Sequence, residues 1–182
     1  MQQKQFIYYV LKFIGAFCIV YFGTKAIIGL TVPGGYYNEF VKQYIDYPAL
    51  LRNSLLNGTK LLVAAFGFDT YMRDPFRLAF VNGKGIHLVY ACLGIGLFSF
   101  WIAFVFANKG IFLKKAIWII AGCLLIWIIN VIRISVVLIG TNKNWKVPLT
   151  LEHHTFYNII VYSFIFLMIW MFFRSEKMPG LI

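Results

Sequence analysis

The sequence predicts an all-α polytopic membrane protein with about four transmembrane helices, an amphipathic interfacial helix and a short extracytoplasmic β-hairpin. Three observations predict this fold class. Hydrophobic residues make up 61% of the 182 residues and charged residues only 13%, whereas a soluble domain is about half apolar and about a quarter charged. Four apolar segments are long enough to cross a bilayer, and an Asn-Gly turn signal separates two short β-prone runs. We therefore expect lipid to cover much of the apolar surface.

The apolar segments define the predicted spans, because a helix that crosses a hydrocarbon core needs about 20 residues. The first segment contains Lys12, and no clear small-residue cleavage site follows it before Lys25. We interpret it as a retained span and not as a signal peptide. We expect residues 1–182 to form a single membrane domain. The four predicted spans are Phe6–Thr24, Tyr90–Ala107, Lys115–Ile139 and Phe156–Phe173.

The segment Pro48–Phe68 is apolar but carries several polar residues, including Arg52 and Lys60, between pairs of leucines. This mixture is typical of an amphipathic helix that lies at the membrane surface. The alternative is a fifth span, which would change the parity of the topology. A hairpin follows the segment, since Asn82–Gly85 separates the runs Phe76–Val81 and Ile86–Tyr90.

The placement of lysine and arginine predicts the orientation of the spans. The loop Asn108–Lys115 has three lysines and no acid, the N-terminus carries Lys4, and the tail carries Arg174. These three segments are therefore expected in the cytoplasm, with residues 25–89 and the loop Gly140–His153 outside. The net charge of +11 favours anionic lipid headgroups of the cytoplasmic (inner) membrane as partners over nucleic acid.

This topology brings three chemical groups to one membrane face. Cys92 begins the second span from the outer side, Arg133 lies near the outer end of the third, and His153 and His154 open the fourth. An arginine within a span is a functional candidate, although a snorkelling arginine is the alternative. Asn130, three residues earlier, shares its helix face.

Each remaining candidate can have a structural role instead of a functional one. For Cys92, a packing role is as well supported as a functional one. Cys18 and Cys123 are expected to be small apolar groups. No CxxC spacing is present, and adjacent histidines point to different helix faces, so we expect no metal site. No nucleotide motif is apparent either, and no cofactor is expected. His87, in the second hairpin run, is a structural residue or a substrate contact.

Three segments, Val89–Gly94, Asn130–Ile134 and His154–Asn158, resemble in order the motifs of the exosortase/archaeosortase family of membrane-embedded cysteine transpeptidases. The resemblance covers roughly residues 55–172 and suggests a short-form member. The sequence departs from the family pattern at Leu93-Gly94, where the family often has Ser-Gly, and at Asn158, where the family often has a glycine. The spacing favours His154 over His153 as the histidine of the motif.

The resemblance implies a catalytic set of Cys92, Arg133 and His154. We expect Asn130, Asn158, His153 and His87 to be substrate-binding or supporting residues. The implied substrates are exported proteins that end in a short motif, a hydrophobic span and a basic tail. The hairpin would pair with the motif by strand addition. Two alternatives stay open: a non-enzymatic carrier or assembly factor that binds an anionic ligand at Arg133, and a thiol acyltransferase.

Overall fold

A computed structural model of the protein describes residues 2–32, 36–143 and 153–177, with side chains over 3–32, 36–143 and 159–175. The chain is mostly helical, at 77%, with one small sheet. Two compact units are present, Met1–Asn142 and Lys143–Ile182. The elements are α1 Gln2–Thr31, α2 Glu39–Tyr44, α3 Tyr47–Ala65, β1 Thr70–Asp74, β2 Arg77–Phe80, β3 Gly85–His87, a 3₁₀ turn Tyr90–Leu93, α4 Ile95–Ala107, α5 Phe112–Asn142 and, in the second unit, α6 His153–Lys177.

Three helical segments within the described residues are long and apolar enough to cross a membrane: α1, Tyr90–Ala107 and α5. Their surfaces carry large apolar side chains, such as Phe6, which is 67% exposed, and Ile19, which is 75% exposed. Lipid solvates such groups better than water does, which is why these helices suggest a membrane protein. In α6 the described apolar part is the shorter stretch Ile159–Ser175.

The helices differ from the predicted spans mainly at their ends. Helix α1 continues past the predicted end at Thr24 to Thr31, and α5 runs three residues beyond Ile139 to Asn142. The predicted span from Tyr90 begins with a 3₁₀ turn, and α4 itself starts only at Ile95. A short helix, α2, was not predicted; the Asn38 side chain caps it by accepting the Val41 N–H.

Helix α3 confirms the helix predicted over Pro48–Phe68. Its N-terminus is capped by Asp46, whose carboxylate accepts the Ala49 N–H at 3.1 Å. Pro48 lies in the first turn, where a missing N–H costs little. The helix buries one stripe of side chains, spaced three or four residues apart as an amphipathic helix requires. These are Pro48, Arg52, Leu55, Leu56, Thr59 and Val63.

The sheet has the predicted hairpin, β2 and β3, and a third strand that was not predicted. Strand β1 pairs antiparallel with β2, and the order is β1-β2-β3. An Asp-Pro turn joins β1 to β2, in which the Phe76 N–H donates to the Asp74 side chain at 2.8 Å. The predicted hairpin is therefore present, as part of a three-stranded sheet.

The core of the first unit lies among α3, the sheet, the 3₁₀ turn, the start of α4 and the second half of α5. Its members are aliphatic apart from one phenylalanine, and they are at most 9% exposed. The 3₁₀ turn thus joins the sheet and helices through shared apolar contacts. The core residues are Leu55, Leu56, Val63, Leu78, Phe80, Leu88, Leu93, Ile95, Val131, Ile134 and Leu138.

Helices α4 and α5 meet around one tryptophan. The Trp101 side chain is fully buried, and its Nε1–H donates to the Trp118 carbonyl at 2.9 Å. Gly122 makes room for the indole, because a Cβ at that position would clash with the Trp101 ring nitrogen. This small residue sets how closely the two helices approach.

Replacing Gly122 with alanine is expected to lower the free energy of unfolding by about 1–3 kcal/mol, because a buried ring held by a hydrogen bond must move. Reversible unfolding of the detergent-solubilised protein measures the change. The control is Gly15→Ala in α1, where nothing lies within 4 Å of the added carbon. Equal effects of the two substitutions would contradict the packing described for α4 and α5.

Candidate functional site

Cys92 lies in the 3₁₀ turn that leads from β3 into α4. Its N–H donates to the Val89 carbonyl at 2.9 Å, which closes the turn. The side chain is half-buried and packs against the core, whereas the neighbouring Leu93 is completely buried. The thiol is therefore held by a short, well-anchored segment and is partly accessible.

Gly94 ends the turn and caps α4 in a left-handed conformation, with φ 75° and ψ 20°. Asn130 of α5 approaches it closely: its Nδ2 lies 2.5 Å from the position that a Cβ on Gly94 would occupy. Glycine is thus required by both the backbone angle and the space. This contact brings a predicted site residue of α5 to within two residues of Cys92.

Asn130 is only 1% exposed, and neither its Nδ2 nor its Oδ1 has a hydrogen-bond partner within the part of the chain that the structure describes. A buried amide group without a partner costs about 1–3 kcal/mol. Such an unpaired group against Gly94, which ends the turn that carries Cys92, calls for an explanation, and a bound acceptor is one.

Arg133 follows Asn130 by three residues and is half-buried on α5, between the core residues Val131 and Ile134. Among the described residues it makes no hydrogen bond or ion pair. A cation in this position attracts an anionic group, whether from a ligand or from a reaction intermediate.

Of the three histidines, only His87 has a described side chain. His87 ends β3, is exposed, and packs edge-on against the Phe76 ring with 5.9 Å between ring centres. The side chains of His153, His154 and Asn158 lie outside the described residues, and α6 begins at His153. The structure therefore brings the segment of Cys92 together with Asn130, and Arg133 lies one helical turn beyond that contact.

Arg52 is a residue that the sequence analysis did not single out for the site. It is only 5% exposed, and its Nη1–H donates to the Tyr90 hydroxyl at 3.2 Å. The guanidinium carbon also lies 4.0 Å from the centre of the Phe76 ring, a cation–π contact. Two further nitrogens share the Asn53 side-chain oxygen at 3.4 Å.

These contacts connect α3 and the sheet to the first residue of the turn that carries Cys92. A signal was available in the sequence, because position 52 lies on the same helical stripe as Pro48, Leu55 and Thr59. An arginine on an apolar stripe is unusual and demands partners. Its role depends on Tyr90 and Phe76, which are distant in sequence and carry no signal alone.

One face of the sheet forms a groove with a volume of about 450 Å³. Its middle is lined by the small residues Ala79 and Gly85, which are paired across β2 and β3. Three cationic side chains line it, and one of them is partly neutralised by the ion pair from Arg77 to Asp74 at 3.5 Å. These cationic residues are Arg73, Arg77 and Lys84.

Strand β3 also presents one edge away from β2. The Phe80 N–H donates to the Lys84 carbonyl at 3.3 Å, and the Leu88 N–H donates to the Phe76 carbonyl at 2.8 Å. Because hydrogen-bonded pairs alternate in antiparallel strands, the backbone groups of Gly85 and His87 point to the other edge. Those groups are the natural place for another extended segment to pair.

Within the described residues no group of three or more histidine, cysteine or acidic side chains is arranged to hold a metal ion. Cys18, Cys92 and Cys123 are all free thiols. No family model, no curated protein and no solved structure matches the chain.

Replacing Tyr90 with phenylalanine is expected to destabilise the fold by about 1–3 kcal/mol, since one N–H of the buried Arg52 guanidinium loses its acceptor. Thermal unfolding in detergent measures this change. Tyr44→Phe is the control, because Tyr44 is 68% exposed and should be within about 0.5 kcal/mol of the wild type. Wild-type stability of the Tyr90 variant would mean that the hydrogen bond contributes nothing.

Proposed function

We propose that the protein is a membrane cysteine peptidase or transpeptidase of the exosortase type, which cleaves C-terminal sorting signals of exported proteins. One observation carries the proposal. The turn bearing Cys92 is fixed against α5 by the contact of Gly94 with Asn130, one helical turn from Arg133, which has no hydrogen-bond or ion-pair partner among the described residues. A partly accessible thiol, on a turn packed against a helix that carries a cation, is an arrangement that suits nucleophilic cysteine chemistry.

The proposed topology has four spans in the cytoplasmic membrane, with both termini in the cytoplasm and α3 at the outer interface. Three apolar helices long enough to cross a membrane and the lysines between α4 and α5 support it, and the fourth span, α6, is part of the proposal. In this orientation the sheet and Cys92 face the outside of the membrane, where an exported substrate arrives.

In the proposed reaction, the Cys92 thiolate attacks the carbonyl carbon of the scissile peptide bond, and the carbonyl electron pair moves to oxygen. Collapse of this intermediate breaks the C–N bond and leaves a thioester on Cys92. His154, assigned by the resemblance alone, gives a proton to the leaving amine. Arg133 stabilises the negative charge on oxygen, since a guanidinium stays protonated and is a poor base.

The acyl group of the thioester then passes to an acceptor nucleophile or to water, and the Cys92 thiol is released. The substrate would enter as an extended segment and pair with the outer edge of β3, from which the chain leads within five residues to Cys92. The cationic groove on the sheet lies beside this path.

Two other functions compete with this proposal. A carrier or assembly factor would use Arg133 for an anionic ligand and would need no reactive thiol. A thiol acyltransferase would use the same residues with a lipid-linked acyl donor. Mass spectrometry of the group trapped on Cys92 distinguishes an acyl chain from a peptide.

Cys92→Ala is expected to reduce cleavage of a co-expressed substrate, one with a motif, a hydrophobic span and a basic tail, by more than about 10³-fold, because no other group replaces the nucleophile. Immunoblotting of the processed form measures this. Cys18→Ala on α1 is the control and should cleave normally at equal membrane abundance. Full cleavage by the Cys92 variant would refute the enzymatic function.

The edge of β3 is tested by comparing two substitutions of one residue. His87→Pro removes the outward N–H and should slow cleavage by about 3- to 10-fold beyond His87→Ala, which keeps that donor. The ladder to β2 should survive, because the His87 N–H does not take part in it. Equal cleavage by the two variants would argue against strand addition at this edge.

A further inference from the structure

We infer that Asn130 and the first backbone N–H groups of α4 together form the site that binds the carbonyl oxygen of the scissile bond. This inference rests on the proposed function and adds to it a catalytic residue beyond the cysteine, arginine and histidine. It also divides the stabilisation of the oxyanion between neutral donors at Gly94 and the cation Arg133. Two independent observations meet at this place.

The first observation is the start of α4, a helix of 13 residues that begins directly after Gly94. The Leu97 and Phe98 N–H groups donate to the Gly94 carbonyl at 2.9 and 3.1 Å, which closes the first turn. The N–H groups of Ile95 and Gly96 precede this turn and have no acceptor within the helix. Gly94 has no side chain that could cap them, and no carbonyl among the described residues accepts from them, so the helix presents unpaired donors and its positive end there.

The second observation is the side chain of Asn130. It is almost completely buried, both of its polar atoms lack partners among the described residues, and its Nδ2 contacts Gly94, the residue that caps α4. The amide therefore adds a side-chain donor beside the backbone donors of the helix. Because the amide is shielded from water, a bond from it to a developing negative charge is stronger than the same bond in solvent.

The other buried and unpaired polar atoms described do not share this setting. They are the hydroxyl oxygens of Thr59, in the middle of α3, and of Thr70, at the start of β1. Neither residue belongs to α4 or α5. Thr59 therefore serves as a matched control for the effect of an unpaired buried group on folding alone.

The chemistry specifies the ligand atom. When the Cys92 sulfur bonds to the carbonyl carbon, the π electrons move to oxygen, which becomes an acceptor with a full negative charge. The Asn130 Nδ2–H and the amides at the start of α4 donate to that oxygen. When the C–N bond breaks and the amine takes its proton, the oxygen returns to a neutral carbonyl and the bonds weaken.

Asn130→Ala is expected to lower the turnover rate for peptide cleavage by about 10²–10³-fold, with a much smaller change in KM, as loss of an oxyanion donor does. The second readout is the rate at which a methanethiosulfonate reagent labels Cys92 in a background lacking the other two cysteines. That displacement occurs at sulfur and forms no oxyanion, so its rate should stay within about twofold of wild type.

Two further variants guard against a folding effect. Asn130→Asp keeps the shape of the side chain but removes the N–H donors, and it should cleave no faster than the alanine variant. Thr59→Val removes a different unpaired buried group and should cleave and label normally. If labelling falls together with cleavage in both Asn130 variants, Asn130 only supports the fold and the inference is overturned.

The remaining outcomes separate the inference from the proposed function. Normal cleavage by Asn130→Ala, with no cleavage by Cys92→Ala, overturns the role of Asn130 and leaves the peptidase intact. Normal cleavage by Cys92→Ala overturns both. Slow cleavage with unchanged labelling in both Asn130 variants supports the site at Gly94.

Discussion

The close approach of α5 to the backbone at Gly94 determines where the rest of the first unit can lie. A left-handed residue must stand there to turn the chain from the 3₁₀ turn into α4, and the Asn130 amide occupies the space of the missing side chain. Any other residue would meet both backbone strain and a steric clash. The position of Cys92 relative to α5 therefore depends on this one contact, and the apolar core around Leu93 holds it in place.

Charge is distributed around this contact in an unusual way. Arg52 is buried with a hydroxyl, an amide oxygen and an aromatic ring as its partners, and Arg133 has no anionic partner among the described residues. The two ion pairs found in that part of the chain, Lys42 with Asp46 and Arg77 with Asp74, lie elsewhere. Neutral partners accept hydrogen bonds from Arg52 without cancelling its charge. Both arginines thus keep a positive charge that can stabilise an anionic group formed near the turn.

Hydrophobic length and turn chemistry predicted most of the helices and the β2–β3 hairpin, because those signals are local. The third strand was missed because Thr70–Asp74 alternates poorly and is stabilised by pairing with β2. Asn130 and Arg133 were selected as polar residues within an apolar helix, but the contact with Gly94 joins residues 36 positions apart in the sequence. The role of Arg52 depends in the same way on Tyr90 and Phe76, so no local pattern reveals it. The arrangement of His154 remains a prediction.

An unpaired amide in a buried place is a stability cost of about 1–3 kcal/mol, which an apolar residue of similar shape would avoid. The start of α4 also has unpaired donors, and Gly94, which the Asn130 amide contacts, is the residue that precedes them. Neither set of unpaired groups helps the free protein. In the inferred site a single oxygen accepts from both, and it accepts most strongly when it carries a full negative charge. Donors left unpaired in the free state therefore contribute most in a transition state, and that difference accelerates a reaction, whereas equally tight binding of the substrate would not.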